Sequence, residues 1–131
     1  MILPQITAFY AGLLGLMLVA LSSRVMRMRA ELDVMVGDGG ERKLNVAMRT
    51  QANFVEYVPM ALLLIGYNEV LQRPYFIIHF LCAMLVIARL AHAHGMAQPN
   101  AAGRGRRAGA LLTFAVLVAA SLLCILRMVL P

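Results

Sequence analysis

Charged residues are scarce in this sequence, because only 14% of its 131 residues are Asp, Glu, Lys or Arg while 62% are hydrophobic. Soluble domains carry about 25% charged and about 45–50% apolar residues. The composition therefore excludes an ordinary soluble domain and indicates an integral membrane protein. Since a spanning helix needs about 20 residues, the length suits a single domain, residues 1–131, built as one small bundle of such helices.

Cysteine is also scarce. Cys82 and Cys124 both lie in apolar runs, and neither belongs to a CxxC motif or a Cys/His ligand spacing. We expect buried free thiols, with neither a disulfide nor a metal site. The net charge of +6 could indicate nucleic acid, but no basic face with interleaved aromatic residues is present, so no nucleic-acid partner is predicted.

Four apolar runs predict four transmembrane helices, at about residues 3–26, 46–68, 75–95 and 108–129. Each is long enough to cross about 30 Å of hydrocarbon. The first run is not interpreted as a signal peptide, because basic residues follow it instead of preceding it and no small-x-small cleavage site interrupts it. Between the first two runs, residues 37–40 read Gly-Asp-Gly-Gly, which predicts a tight turn. The fold class is all-α, a four-helix membrane bundle.

Basic residues predict the topology of this bundle. The first and third connections, with their flanks, hold nine of them, whereas the opposite side has only Arg73 and Arg127. Such asymmetry places the two basic connections in the cytoplasm and both termini on the opposite, outer side of the membrane. For several of these arginines, a role as membrane anchors alone remains the alternative. The nine are Arg24, Arg27, Arg29, Arg42, Lys43, Arg89, Arg104, Arg106 and Arg107.

A polar stripe marks the start of the second helix. At about 100° per residue, Arg49, Asn53 and Glu56 fall within roughly 60° of one another, and Tyr57 flanks them. A charged group at membrane depth costs about 2.5–3.5 kcal/mol, so such groups face a bundle interior or a wet cavity. The stripe is either a buried Arg–Glu pair or a pocket for a zwitterionic ligand. Glutathione, with two carboxylates, an amine and a thiol, fits such a pocket, as do other peptides.

The stripe resembles the signature of the MAPEG family, the membrane-associated proteins in eicosanoid and glutathione metabolism. Its residues read Arg49-x-x-x-Asn53-x-x-Glu56-Tyr57-x-Pro59. The Gly-Asp-Gly-Gly turn before it, an Arg89-x-x-His92 pair ending the third helix and a basic cluster opening the fourth also match. The chain is similar to a short bacterial branch of the family, and the resemblance covers nearly all of it.

The resemblance implies a homotrimer that binds glutathione between neighbouring subunits near the cytoplasmic side. It implies that an arginine at the start of the fourth helix stabilises the glutathione thiolate, and either Arg106 or Arg107 matches it. The implied glutathione-binding residues are Arg27, Arg49, Gln51, Asn53, Glu56, Tyr57, Arg89 and His92.

The predicted function is that of a glutathione-dependent membrane transferase or peroxidase-like protein, which activates the thiol against a small lipophilic electrophile from the bilayer. The alternative is a non-catalytic ligand-binding or scaffold protein of the same fold. The third helix favours this alternative, since no aromatic residue follows Phe80 until Phe114, whereas the leukotriene-synthase branch has tyrosines there. A small transporter is disfavoured because no convincing internal repeat is evident.

Overall fold

Four long helices make up the protein. The computed structural model describes residues 3–98 and 103–130. Within them, α1 spans Gln5–Leu32, α2 Arg42–Val70, α3 Tyr75–Ala97 and α4 Arg104–Val129. The predicted all-α fold and its helix order are confirmed. Helices α1, α2 and α4 extend beyond the predicted apolar runs, because each continues through polar residues that water can solvate outside the hydrocarbon layer, and α3 ends two residues later than predicted.

Helix α2 differs from the other three in its polarity. Among the described residues, α1, α3 and α4 are long and apolar enough to cross a membrane. Helix α2 is equally long but amphipathic, since the polar stripe occupies its first half and an apolar run follows Tyr57. The bundle therefore combines three apolar helices with one helix suited to carrying a polar site.

The core forms where α2, α3 and α4 meet and where α1 packs on α2 and α3. Its buried side chains include Leu14, Phe54, Ile65 and Leu85. The outer surface is also apolar, as large exposed side chains show: Leu16 is 71% exposed, Phe80 63% and Val118 58%. An exterior as apolar as the interior is expected where lipid tails or a second subunit cover the protein.

Helices α3 and α4 approach closely through glycines. A Cβ at Gly109 would lie 2.5 Å from the carbonyl oxygen of Ala88 and 2.6 Å from the backbone nitrogen of His92. A Cβ at Gly95 would collide with the backbone nitrogen of Arg106. Since Gly105 and Gly109 are four residues apart, α4 presents a GxxxG face, the pattern that lets two membrane helices approach to backbone contact. This contact fixes the start of α4 against the end of α3.

The connection between α1 and α2 contains the predicted tight turn. Gly37, Gly39 and Gly40 have φ values of 71°, 60° and 78°, in the left-handed region that favours glycine. Asp38 accepts a hydrogen bond from the Gly40 N–H at 3.0 Å and one from the Asn45 amide at 2.6 Å. These two donors hold the pKa of the Asp38 carboxyl below its usual range.

At the opposite end of the bundle, α2 caps the start of α1. No side chain of its own caps α1. The Glu69 carboxylate instead accepts the N–H groups of Ile6 and Thr7, each at 2.8 Å, and the Thr7 hydroxyl at 2.7 Å. A carboxylate at this position satisfies unpaired amide donors and interacts favourably with the helix dipole. Glu69 thus joins the first and second helices.

Candidate functional site

The predicted stripe on α2 points partly inward and partly outward. Asn53 is half-buried, whereas Arg49 and Glu56 are exposed. Neither of these charged side chains forms an ion pair or hydrogen bond with any residue in 3–98 or 103–130. A buried Arg49–Glu56 pair is therefore not what holds the subunit together. The opposite charges of Arg49 and Glu56 are therefore available to a partner outside the chain.

Arg89 lies at the centre of a buried polar network behind the stripe. Its side chain is 1% exposed, and its Nη2 donates to Oδ1 of Asn53 at 2.9 Å. The guanidinium also lies over the Phe54 ring, 5.6 Å from its centroid. A stacked aromatic face and an amide oxygen partly replace the water that a cation loses on burial.

His92 and Thr113 complete this network. Nη2 of Arg89 lies 3.1 Å from Nδ1 of His92, an arrangement in which Nδ1 accepts and Nε2 carries the ring proton. Nη1 of Arg89 lies 3.4 Å from the Thr113 hydroxyl on α4, which itself donates to the Gly109 carbonyl at 2.8 Å. The network thus joins α2, α3 and α4 around one guanidinium.

The network fixes the orientation of Asn53. Because the guanidinium is a donor only, the oxygen of the amide must face it. The amide nitrogen then faces away from Arg89, with no partner among the described residues. The Asn53 side chain therefore keeps its amide donors available on the side away from Arg89. Arg89 itself is too deeply buried in this chain to present its charge at that surface.

The two candidate catalytic arginines lie at the start of α4. Arg106 and Arg107 are both exposed, while the backbone at Arg106 packs directly on Gly95. This contact puts the first turn of α4 beside the end of α3, close to His92. The preceding segment, residues 99–102, lies outside the described residues.

The remaining predicted residues occupy separate positions. Gln51 and Tyr57 are half-buried on α2, and the Tyr57 ring packs edge-on against Phe114 with centroids 5.2 Å apart. Arg27 is exposed near the end of α1. Its neighbour Arg29 differs, because it donates to the carbonyl of Val34 at 3.3 Å and so helps to end the helix. The subunit thus brings Asn53, Arg89 and His92 together and leaves the other predicted charges on its surface.

Two residues that contact Arg89 were not predicted from the sequence. Thr113 contacts Arg89, and Phe54 supplies the aromatic face. The sequence offers one signal for Thr113, since it is one of two hydroxyl residues in the apolar fourth run. It offers none for Phe54, because a phenylalanine between polar residues of an amphipathic helix is normally a core residue.

Sequence comparisons agree with this architecture. The MAPEG family model matches residues 7–126. Two curated relatives are both named inner membrane protein YecN, one from Escherichia coli strain K12 and one from E. coli O6:H1 strain CFT073. Each is 34% identical over 114 residues, which cover 87% of this chain and 86% of the relative. With this match over nearly its whole length, the chain belongs to the MAPEG family.

Proposed function

We propose that this protein is a glutathione-dependent membrane transferase or peroxidase-like enzyme. The supporting observation is that Arg49 and Glu56 are exposed and unpaired on either side of Asn53. The Asn53 amide is already oriented by its hydrogen bond from the buried Arg89. A carboxylate, an ammonium and a peptide group are the natural partners of such a set. Glutathione carries all three.

The spacing of the set also suits a tripeptide. Arg49 and Glu56 are seven positions apart on the helix, so their backbones lie about 10 Å apart along the axis. An extended tripeptide spans roughly 10–11 Å. Arg49 would bind a terminal carboxylate, Glu56 the α-ammonium group and Asn53 a peptide carbonyl between them. Gln51 and Tyr57 lie on the same helix as further contacts, and Arg89 and His92 act in this proposal mainly by holding Asn53.

A homotrimer would complete this site. Exposed charges on an otherwise apolar outer surface are costly in a membrane, and a neighbouring subunit covering them removes that cost. Arg27, exposed near the end of α1, would then reach the peptide bound on the adjacent subunit. A trimer is expected from the mass of the detergent-solubilised protein. A monomer at high protein concentration would contradict the shared site.

We also propose the bacterial inner membrane as the location, as the printed name of the relatives suggests, with both termini periplasmic. The charge asymmetry of the connections supports this orientation. A reporter that works only in the periplasm should be active when fused after Leu130. Activity of a reporter that works only in the cytoplasm would contradict this orientation.

The chemistry requires a thiolate. A free thiol titrates near pH 8.5–9, so only a few per cent is ionised at neutral pH. An arginine at close approach lowers a thiol pKa by about 1–3 units, which makes the thiolate a substantial fraction. Arg106 is the first candidate for this role and Arg107 the second. The thiolate then forms a thioether bond to a small lipophilic electrophile that enters from the bilayer, and the leaving group departs with the electron pair of the bond that breaks. Positioning supplies the rest of the rate enhancement.

The test is an ultraviolet difference spectrum for bound thiolate, combined with turnover of a generic chromogenic electrophile. Wild-type protein with glutathione should show the thiolate band at pH 7. Arg106→Ala should lose the band and the turnover while still binding glutathione, whereas the matched Arg104→Ala should retain both. Binding without a thiolate band in wild type would instead support the second candidate, a non-catalytic ligand-binding protein. The absence of aromatic residues along most of α3 favours that candidate.

A further inference from the structure

A cavity lies at the end of the bundle that carries the connection between α1 and α2. Its volume is about 540 Å³, and it opens between the end of α1, the start of α2 and the end of α3. No residue of the proposed glutathione set lines it, so it is separate from that site. The lining residues are Arg24, Met28, Arg42, Lys43, Val46, Met96, Ala97 and Gln98.

The charge of this cavity is entirely positive. Arg24, Arg42 and Lys43 line it, and no carboxylate does. None of the three forms an ion pair or hydrogen bond with another residue in 3–98 or 103–130, although Arg24 is half-buried. Three like charges that line one cavity repel one another, and an anion bound between them would offset that repulsion.

The backbone adds to the same positive potential. Arg42 and Lys43 are the first two residues of α2, and the first turn of this helix contains no acidic residue. Glu41 precedes the helix but makes no capping hydrogen bond through its side chain. Cations at the positive end of a helix dipole are unfavourable, whereas an anion there is stabilised by both the dipole and the unpaired N–H groups.

The remaining walls identify the kind of anion. Met28, Val46 and Met96 give the cavity an apolar side, and Gln98 adds a neutral amide. The cavity also lies where the apolar run of α1 ends in arginines, at the level where hydrocarbon meets water. A site that is cationic at one edge and apolar at the other suits an amphiphile with a phosphate headgroup better than a small hydrated ion.

We propose that this cavity binds the phosphate headgroup of an anionic phospholipid. The Arg24 and Arg42 guanidiniums bind the phosphate oxygens as two-donor forks, and Lys43 adds a point charge. Gln98 hydrogen-bonds the polar headgroup, and the acyl chain leaves along Met28 and Val46. A bound lipid in this position holds α1, α2 and α3 together.

The test uses the full-length protein, purified in a neutral detergent and freed of lipid. Its unfolding midpoint is followed during titration with dioleoylphosphatidylglycerol, dioleoylphosphatidylcholine or the soluble glycerol phosphate. Phosphatidylglycerol should raise the midpoint, and phosphatidylcholine should need at least a tenfold higher concentration for the same rise. An equal effect of the two lipids would overturn the proposal. Glycerol phosphate acting at the concentration of the lipid would overturn the assignment to a lipid.

Variants locate the effect. Arg42→Gln and Lys43→Gln change exposed side chains, so both should fold. Each should weaken lipid binding about fivefold, the factor for about 1 kcal/mol per cation. The triple variant with Arg24→Gln should lose the effect, whereas Arg104→Gln, a matched change outside the cavity, should retain it. A triple variant that keeps the lipid response would refute the proposal, and so would one that loses glutathione binding together with it.

Discussion

Nη2 of Arg89 donates a hydrogen bond to Oδ1 of Asn53 at 2.9 Å, from α3 to α2. The contact lies between a fully buried cation and an amide at the edge of the proposed ligand site. The orientation of the Asn53 side chain is therefore set by a residue of the bundle interior. Arg89 can therefore influence the proposed ligand site without touching the ligand.

Replacing Arg89 with Met should weaken both stability and ligand binding. The variant leaves the Asn53 oxygen without its donor, at a cost of about 1–3 kcal/mol in the free energy of unfolding. The freed amide can rotate, so glutathione affinity should fall as well. The double variant Arg89→Met/Asn53→Leu should cost less than the two single changes added together, because the partners act as a pair. Strict additivity in unfolding measurements would show that the hydrogen bond contributes nothing.

Gly109→Ala should destabilise the bundle by about 1–3 kcal/mol, the usual penalty for inserting a methyl group where no space exists. The new Cβ would lie 2.5 Å from the Ala88 carbonyl oxygen, and backbone cannot rotate away. Gly12→Ala is the matched control, since nothing lies within 4 Å of a Cβ there. Thermal unfolding of the two variants checks this difference. Equal midpoints would contradict the close packing of α3 on α4.

Glu69→Gln should cost about 1–2 kcal/mol, because the substitution removes the negative charge and one acceptor from the start of α1. Hydrogen exchange at the amides of Ile6 and Thr7, the two groups that Glu69 accepts, should speed up. Glu31→Gln changes an exposed carboxylate at the other end of the same helix and provides the control. Unchanged exchange at both amides would exclude the cap.

The turn at Asp38 should depend on pH. Its carboxyl pKa is lowered in the folded protein, so its ionised form stabilises the turn above the pKa of the unfolded chain. That stabilisation is lost as the pH falls through the depressed folded value, below about pH 4. Protection of the Gly40 amide, measured against its intrinsic exchange rate at each pH, should therefore fall only in strong acid. Asp38→Asn should abolish this pH dependence, and an Asn variant with the wild-type profile would contradict the assignment.

The sequence predicts the four helices because long apolar runs leave the backbone in a bilayer few alternatives. It also places Arg49, Asn53 and Glu56 on one stripe, since helical periodicity is a local property. It does not predict that this stripe lies at the edge of the bundle, where Asn53 faces inward and Arg49 and Glu56 face outward. That division depends on the position of Arg89, 36 residues further along the chain, and therefore on tertiary packing.

The same limit applies to Glu69 and to the basic cavity. Glu69 reads as part of a short charge-balanced connection, but packing brings it to a helix that starts more than sixty residues earlier. Arg24, Arg42 and Lys43 read as topology signals in one basic connection. Only the packing of α1, α2 and α3 makes them the lining of one cavity.

In the proposed function, Arg49 and Glu56 bind glutathione instead of each other. The most direct measurement is calorimetric titration of glutathione into wild type, Arg49→Met and Glu56→Gln, with Glu31→Gln as the control. Loss of a charged hydrogen bond costs about 1.5–3 kcal/mol, so each site variant should bind roughly 10–150-fold more weakly while keeping the wild-type oligomeric mass. The control should bind as wild type does. Wild-type affinity in both site variants would contradict the assignment.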